Sequence, residues 1–183
     1  MKYSAVIFIL LVFAACTTKI NNIKSDNSER LTDLVNPLIG TDSEHKLSNG
    51  NTYPAIARPW GMNFWTPQTG KMGNGWGYTY DAYKIRGIKQ THQPSPWIND
   101  YAAFSLMAVT GDLKIDEDER ASWFSHKAET AKPHYYKVYL ADYDVTAEVT
   151  PTDRAAIFRF TFPENNNSYL FKNSNNKLFI KFI

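Results

Sequence analysis

The sequence predicts an all-β fold, an antiparallel β-sandwich, and three observations support that prediction. Apolar and polar residues alternate with a period of two in consecutive stretches after His134, which is the pattern of half-buried strands. Short turn sequences separate the stretches, so neighbouring strands are expected to pair as an antiparallel meander. No convincing helical periodicity occurs after the first 16 residues.

The strands are predicted in order along the second half of the chain. A first strand is expected over residues 104–110, and the clearest alternation surrounds Val145, with turns at residues 141–142 and 151–153. Phenylalanine at every second position marks the last strand. The residues expected to face the core after His134 are Tyr136, Val138, Leu140, Tyr143, Val145, Ala147, Val149, Phe158, Phe160 and Phe162.

Residues 1–16 have the features of an export signal. Lys2 precedes an apolar run, which ends in Ala14-Ala15-Cys16, and the run is shorter than the roughly 20 apolar residues that a membrane span needs. Cys16 lies where a bacterial lipoprotein signal is cleaved and acylated, so we expect a lipid anchor at the periplasmic or outer-membrane surface. The alternative is an ordinary secretory signal. Residues 17–30 are polar and are interpreted as a tether.

Four segments follow from these patterns: the signal (1–16), the tether (17–30), a β-sandwich domain (31–164) and a tail (165–183). The tail has no acidic residue and is rich in Asn and Lys, so we interpret it as a frameshifted or truncated end. The alternative is a genuine amphipathic terminal strand. A net charge of +2 includes Lys2 and three tail lysines, without which 16 basic residues face 18 acidic ones. That balance makes nucleic acid an unexpected partner.

Residues 49–104 form an aromatic tract, which contains four of the five tryptophans and seven of the nine glycines. Trp76 and Trp97 lie in loops rich in Gly or Pro, where aromatic faces can stack on sugar rings, and Asp100 can accept hydrogen bonds from hydroxyls. His92 is a candidate for a sugar hydroxyl or a metal ion. The alternatives are tryptophans that cap the core and a histidine with a structural hydrogen bond.

Other residues of the tract and of the acidic run are given structural roles. Trp60 and Trp65 alternate with apolar neighbours and are predicted to lie in the core. The acidic run at residues 116–119 is predicted to be a solvated turn, because it lacks the spacing of a calcium-binding loop. Asp81 and Asp100 are the only acids of the tract, and nothing in the sequence places them as a catalytic pair.

Several motifs, in one order over residues 34–163, resemble the amino-terminal domain of glycoside hydrolase family 92. They are Val35-Asn36-Pro37-Leu38-Ile39-Gly40-Thr41, Gly50-Asn51-Thr52-Tyr53-Pro54, Pro59-Trp60-Gly61-Met62, Gly77-Tyr78-Thr79-Tyr80-Asp81, Gln93-Pro94-Ser95-Pro96-Trp97-Ile98-Asn99-Asp100-Tyr101, Ser125-His126-Lys127, Pro133-His134-Tyr135-Tyr136 and Phe158-Arg159-Phe160-Thr161-Phe162-Pro163. Agreement of several independent motifs in a single order makes a chance match improbable.

The resemblance implies a function that this chain carries only in part. The family consists of calcium-dependent, inverting, exo-acting α-mannosidases, many of which cut α-1,2 linkages. Its members pair a β-sandwich with a carboxy-terminal (α/α)6 barrel, which supplies the general acid, the general base and most calcium ligands. By resemblance, Trp76, His92, Trp97 and Asp100 are expected to contact sugar or to line the cleft between domains. No catalytic residue is expected in this chain itself, its metal-ligating residues stay open, and the chain alone is not expected to bind calcium.

Two functions are therefore expected from different classes of protein. The first is the amino-terminal part of an α-mannosidase, inactive alone, whose partners are α-mannoside glycans and the barrel. The alternative is a free-standing carbohydrate-binding lipoprotein without hydrolase activity. A sandwich that docks on a barrel should expose a large apolar face when alone, whereas a binding module should be a soluble monomer.

Overall fold

The computed structural model describes residues 30–42, 52–71, 77–91, 104–164, 167–174 and 177–182. Short 3₁₀ turns form at Leu31–Leu34 and His126–Ala128. None of the helical segments described is long and apolar enough to cross a bilayer. The strands are β1 (Phe64–Gln68), β2 (Lys84–Ile85), β3 (Gly87–Thr91), β4 (Ser105–Thr110), β5 (Ser122–Trp123), β6 (Thr130–Lys132), β7 (Tyr135–Leu140), β8 (Val145–Pro151), β9 (Ala156–Thr161), β10 (Ser168–Ser174) and β11 (Lys177–Phe182).

The strands form two main sheets and a small one. The first sheet has the order β1-β3-β4-β10-β11, the second has the order β6-β7-β8-β9, and β2 pairs with β5. All of these pairings are antiparallel. The predicted antiparallel β-sandwich is confirmed, and β7, β8 and β9 form the predicted meander.

The core lies between the two main sheets. Ile88, Leu106 and Ala108 of the first sheet line a narrow gap, and Val138, Leu140 and Ala147 of the second sheet line its other side. Because apolar residues occupy every second position along β7 and β8, each of these strands buries one face. The predicted inward positions of β7, β8 and β9 are confirmed, although the phenylalanines of β9 are only half-buried.

Gly87, at the start of β3, allows the close approach of β3 and β4. Its φ is +148°, and a Cβ atom at this position would lie 2.7 Å from the carbonyl oxygen of Leu106. Only glycine fits such a contact and such a backbone without strain. The first sheet therefore depends on this residue for its geometry.

Both Trp60 and Trp65 are predicted to lie in the core. The exposed position of Trp60 contradicts that prediction, and the buried position of Trp65 confirms it. The Trp65 side chain is buried against Phe104 and Phe158, but Trp60 is 99% exposed. Trp60 lies in a turn closed by a hydrogen bond from Gly61 N to Arg58 O (2.9 Å), and its φ is +60°. That backbone costs a bulky residue on the order of 1 kcal/mol. The turn therefore directs the indole outward, which periodicity cannot reveal.

The tail contributes two strands to the first sheet. β10 pairs with β4 over residues 168–173, and β11 pairs with β10. Phe171 is fully buried and Tyr169 is buried, so β10 is part of the core. The geometry of the tail is therefore that of the alternative interpretation, in which it is a genuine terminal strand. The frameshift interpretation concerns the gene and stays a prediction. The signal, Cys16 and residues 17–29 of the tether lie outside the described residues.

Candidate functional site

An open groove of about 410 Å³ lies beside the Gly77–Asp81 stretch of the aromatic tract. Two chain segments form it, one at residues 80–83 and one at residues 124–127. Its lining residues are Tyr80, Asp81, Ala82, Tyr83, Phe124, Ser125, His126 and Lys127. The groove thus combines aromatic rings with a carboxylate, a hydroxyl group and the side-chain nitrogens of His126 and Lys127. Together these groups suit a polar ligand with apolar faces.

Local hydrogen bonds hold the two segments of the groove together. Phe124 N donates to Tyr83 O (3.2 Å) across the two segments, and Tyr80 N donates to Thr41 O (3.0 Å), which ties the first segment to residues near the start of the described chain. The Ser125 side chain caps the short 3₁₀ turn by accepting a hydrogen bond from Lys127 N (3.3 Å). The turn presents His126 to the groove because the cap fixes where it begins.

His126 connects the two segments through both of its ring nitrogens. Nε2 lies 2.8 Å from the carbonyl oxygen of Tyr80, which can only accept, so Nε2 carries a proton. Nδ1 lies 2.5 Å from Oε2 of Glu129. The Tyr80 ring stacks on the imidazole with centroids 3.9 Å apart and planes 2° apart.

Glu129 is the centre of a buried hydrogen-bond cluster beneath the groove. Its side chain is only 1% exposed, and it accepts hydrogen bonds from Tyr136 Oη (2.6 Å) and from Tyr78 Oη (3.3 Å to each oxygen). Burial, reinforced by the charge of Glu129, raises the pKa of both tyrosines well above 10. Both tyrosines therefore remain protonated and donate to Glu129, which fixes the position of the carboxylate beneath the groove.

Tyr83 and Trp123 form an exposed aromatic pair next to the groove. Their rings stack with centroids 4.6 Å apart and planes 20° apart, and both side chains are largely exposed. Two hydrogen bonds fix the backbone of Trp123. Its N donates to Asp142 Oδ2 (3.0 Å), and its O accepts from Ala141 N (2.9 Å). Exposed rings on a fixed backbone are suited to stacking on a ligand.

A second depression, of about 340 Å³, lies on the outer face of the second sheet. Its polar groups are paired with each other: Arg159 donates to both oxygens of Glu148 (2.5 and 2.6 Å), and Tyr135 Oη donates to Glu148 Oε1. Hydrogen bonds from Arg159 are the main reason that the pKa of Glu148 is lowered to about 2. These groups already have partners, so the groove is the better candidate site.

The acidic run at residues 116–119 is a turn, as predicted. Asp116 Oδ1 accepts from the backbone N of Asp118 and of Glu119, and Asp118 pairs with Lys71 and with Arg86. Nowhere in the described ranges do three or more His, Cys, Asp or Glu side chains group as metal ligands.

The predicted site residues Trp76, His92, Trp97 and Asp100 lie outside the described residues. The described residues next to Trp76 and His92 in the sequence are Gly77 and Thr91, and both adjoin Tyr53. Tyr53 Oη is 2.7 Å from Thr91 Oγ1, and a Cβ at Gly77 would lie 3.8 Å from Tyr53 Cδ1. The residue after Trp76 and the residue before His92 are therefore close in space.

Sequence reasoning missed the importance of His126, Glu129 and the Tyr83–Trp123 pair. The spacing of His126 from the other histidines does not fit a zinc site, and the residues around Trp123 form no binding motif. The signal that could have found His126 is the Ser125-His126-Lys127 motif, which belongs to the resemblance. Glu129 has no such signal: His126 and Tyr136 are near it in the sequence, but Tyr78 is 51 positions away, and no motif marks the three as one cluster.

Comparison with known proteins identifies the family. The model of the glycosyl hydrolase family 92 N-terminal domain matches residues 34–181. An inverting mannosidase of family GH92 from Bacteroides thetaiotaomicron VPI-5482 is 48% identical, with a TM-score of 0.72, over 79% of this chain and 20% of that one. A family GH92 α-mannosidase from Bacteroides thetaiotaomicron is 36% identical, with a TM-score of 0.71, over 80% of this chain and 20% of that one.

Two further relatives extend the comparison. The second mannosidase was also solved in complex with mannoimidazole, with a TM-score of 0.70 to this chain. An uncharacterized secreted glycosidase of Arthroderma benhamiae is 25% identical over 139 residues, which are 72% of this chain and 17% of that protein. The chain spans about a fifth of the length of the relatives it matches. It belongs to glycoside hydrolase family 92, of which it carries the N-terminal β-sandwich domain.

Proposed function

We propose that this domain supplies one wall of the mannoside-binding cleft of an exo-acting α-1,2-mannosidase-like hydrolase. The observation that carries the proposal is that Gly77 and Thr91 both adjoin Tyr53, within the aromatic tract that also forms one side of the groove. Two loops that start from neighbouring points on a rigid scaffold can act on one ligand. In this proposal Trp76 and Trp97 stack on sugar, while His92 and Asp100 bind hydroxyl groups.

The domain does not hydrolyse glycosides by itself in this proposal. Glycoside hydrolysis needs two carboxyl groups on either side of the scissile bond. Among the described residues that line the groove, Asp81 is the only carboxylate. The general acid, the general base and the calcium ion come from the carboxy-terminal part of a full-length chain, as the resemblance implies.

The location proposed for the protein is outside the cytoplasm. The signal and Cys16 support export and a lipid anchor in the periplasm or on the outer-membrane surface. The name of the fungal relative, a secreted glycosidase, also favours export. Labelling with radioactive palmitate tests the anchor: Cys16→Ser should abolish the label, and a label that persists would exclude this cysteine.

A carbohydrate-binding lipoprotein remains the second candidate, and the exposed Tyr83–Trp123 pair favours it. Isothermal titration of the purified chain with α-1,2-mannobiose and mannan separates the two functions. If the chain is a binding module, it should bind mannan without any partner domain. The substitutions Trp76→Ala and Trp123→Ala should each abolish that binding. Tyr139→Ala is the control, because Tyr139 lies on the outward face of β7 in the second sheet.

The mannosidase proposal needs the rest of a family-92 chain for its own test. In a chimera, residues 34–181 of this chain replace the matching domain of the 48%-identical mannosidase. Release of mannose from α-1,2-mannobiose by this chimera is then measured. The proposal expects an active chimera whose kcat/KM falls at least about tenfold in Trp76→Ala and Trp97→Ala. A fully active chimera with both tryptophans removed would contradict it.

A further inference from the structure

We propose that Tyr83 and Trp123 form a saccharide platform, which binds internal units of a long glycan rather than its terminal sugar. Their rings stack with centroids 4.6 Å apart, and the two residues are 60% and 49% exposed. Neither residue is among the four that the resemblance assigns to the cleft. The proposal rests on the proposed function in one respect, because that function is what makes the glycan an α-mannoside.

A two-stranded sheet fixes the two rings of the platform in position. Tyr83 directly precedes β2, and Trp123 ends β5. Lys84 of β2 is the direct partner of Trp123 in the antiparallel pairing of these strands. Phe124, the residue after Trp123, donates its backbone N–H to Tyr83 O (3.2 Å). Rings that are already ordered lose little conformational entropy when a ligand stacks on them.

The groove beside the rings offers polar groups that have no partner within the described fold. Asp81 and Lys127 are exposed, and no residue of the described chain forms a hydrogen bond or ion pair with either side chain. Ser125 Oγ accepts from Lys127 N, so its own hydroxyl proton is left for a ligand. The groove therefore combines a carboxylate acceptor and two donor groups with the ring surfaces.

Lys84 supplies a further donor at the rings. Its Nζ lies 5.6 Å from the centroid of the Trp123 ring, and within the described residues it has no carboxylate partner. Because the side chain is long and its ammonium group is not held by an ion pair there, it can turn towards a hydroxyl of a sugar that stacks on the rings.

The ligand that matches these groups is a saccharide. The faces of a pyranose ring carry C–H groups that stack on aromatic rings, and its edge carries hydroxyls that both donate and accept. A proline-rich peptide also stacks on Tyr and Trp rings, but proline lacks a backbone N–H, so such a peptide leaves the Asp81 carboxylate with few donors. Sugar hydroxyls satisfy that carboxylate, which favours the saccharide.

The shape of the groove favours the interior of a glycan chain over its end. The groove is open, and its volume of about 410 Å³ is within the roughly 300–1,000 Å³ of small-ligand sites. In the proposed function the cleft holds the terminal mannoside, so the remaining units of a long glycan need another surface. A platform that binds these units raises the effective concentration of chain ends at the cleft.

Retention of the full chain in native gels that contain mannan tests the platform directly. The apparent Kd should rise at least about tenfold in Tyr83→Ala with Trp123→Ala, because both ring surfaces are lost. Asp81→Ala should raise it about threefold, because a hydrogen-bond acceptor for hydroxyls is lost. The matched control is Trp60→Asn, an exposed tryptophan outside the groove, which should leave the Kd within about twofold.

Circular dichroism checks that each variant is folded. If the double substitution does not fold, Asp81→Ala carries the test, because Asp81 is exposed and its removal leaves the core intact. A parent chain that mannan does not retain would overturn the proposal, as would equal losses in the platform variants and in Trp60→Asn. Binding of a polyproline peptide without any retention by mannan would assign the rings to a peptide and also overturn it.

The assignment to internal units is tested in the chimera with the 48%-identical mannosidase. The measured quantity is the ratio of kcat/KM on mannan to kcat/KM on α-1,2-mannobiose. The double substitution should lower this ratio at least about fivefold, because mannobiose has no internal unit for the rings to hold. A fall of both values by the same factor would mean that the rings act on the terminal sugar, which contradicts the assignment.

The two proposals fail separately in these measurements. An inactive chimera, with a full chain whose retention by mannan depends on Tyr83 and Trp123, contradicts the proposed function and supports the platform. An active chimera whose substrate ratio does not change when the two rings are removed contradicts the platform and supports the proposed function. Retention through the rings does not by itself make the chain a free-standing binding module, because that function requires Trp76 as well.

Discussion

Glu129 shows how one buried residue can organise a surface groove. Its carboxylate accepts hydrogen bonds from Tyr78 and Tyr136 and pairs with Nδ1 of His126, and His126 in turn holds the backbone of Tyr80. Every partner needs the carboxylate in one place, and low local polarity strengthens each bond. The groove therefore owes its shape to a residue that does not line it.

Replacing Glu129 by Gln should destabilise the domain by about 2 kcal/mol, because the amide offers one acceptor oxygen where three donors converge. The free energy of unfolding in urea measures the effect. Glu119→Gln is the matched control, since Glu119 lies in the exposed turn at residues 117–120 and should change stability by less than about 0.5 kcal/mol. Similar losses in both variants would show that the cluster contributes little.

Trp60 and Trp65 should respond oppositely to substitution in the chain alone. Trp65→Ala should cost about 3 to 5 kcal/mol, because it leaves a cavity beside Phe104 and Phe158. Trp60→Asn should change stability by less than about 0.5 kcal/mol or increase it, because it removes no burial and relieves the positive φ. Urea unfolding with a large loss at Trp60 would contradict the exposed position.

At the scale of the element, β8 owes part of its stability to a polar pair on its outward face. Glu148 and Arg159 are direct partners in the β8–β9 register, and Tyr135 reaches the same carboxylate from β7. Sequence alternation predicts Glu148 as an outward residue, yet it is buried, because the side chains on the neighbouring strands cover it. Cross-strand pairs of this kind fix the register of a sheet.

This pair should make stability depend on pH in the acid range. The pKa of Glu148 falls from 4.5 to about 2 on folding, so its contribution is present above pH 4.5 and is lost as the pH falls towards 2. Arg159 is 73% exposed, and screening reduces the contribution to about 1 kcal/mol.

Glu148→Gln should therefore be about 1 kcal/mol less stable than the parent at pH 7, and the difference should shrink towards pH 2. Urea unfolding at pH 7, 4 and 2.5 measures it, with Glu164→Gln as a control at an exposed carboxylate. A difference that does not vary with pH would exclude this ion pair as its source.

At the scale of the whole molecule, the core depends on a strand near the end of the described chain. β10 lies between β4 and β11, and it places Phe171 and Tyr169 in the core. Its loss would remove both side chains and would expose the edge of β4. The sandwich is thus larger than the segment 31–164 that the sequence patterns delimit.

Truncation after Glu164 should abolish cooperative unfolding, whereas truncation after Ser174 should keep it with a lower midpoint. The first removes β10 and β11, and the second removes only the outer strand β11. Thermal unfolding followed by circular dichroism distinguishes the two. A cooperative transition in the shorter chain would mean that the two terminal strands add nothing to the core.

The sequence by itself determined the class of fold, the meander and the family. Alternation at Val145, Ala147 and Val149 is a local property, because a strand buries every second side chain, and ordered motifs identify a relative without coordinates. Export and the candidate residues Trp76, His92, Trp97 and Asp100 also come from sequence, and they remain predictions.

Only the tertiary structure decided which side chains meet. Trp60 and Trp65 have similar neighbours in the sequence, yet a turn with a positive φ exposes one, while packing against Phe158 of the second sheet buries the other. The same holds for Tyr78 at Glu129, 51 positions apart, and for Tyr53 at Thr91, 38 positions apart. Contacts at such separations depend on how the sheets pack, and local periodicity carries no information about that packing.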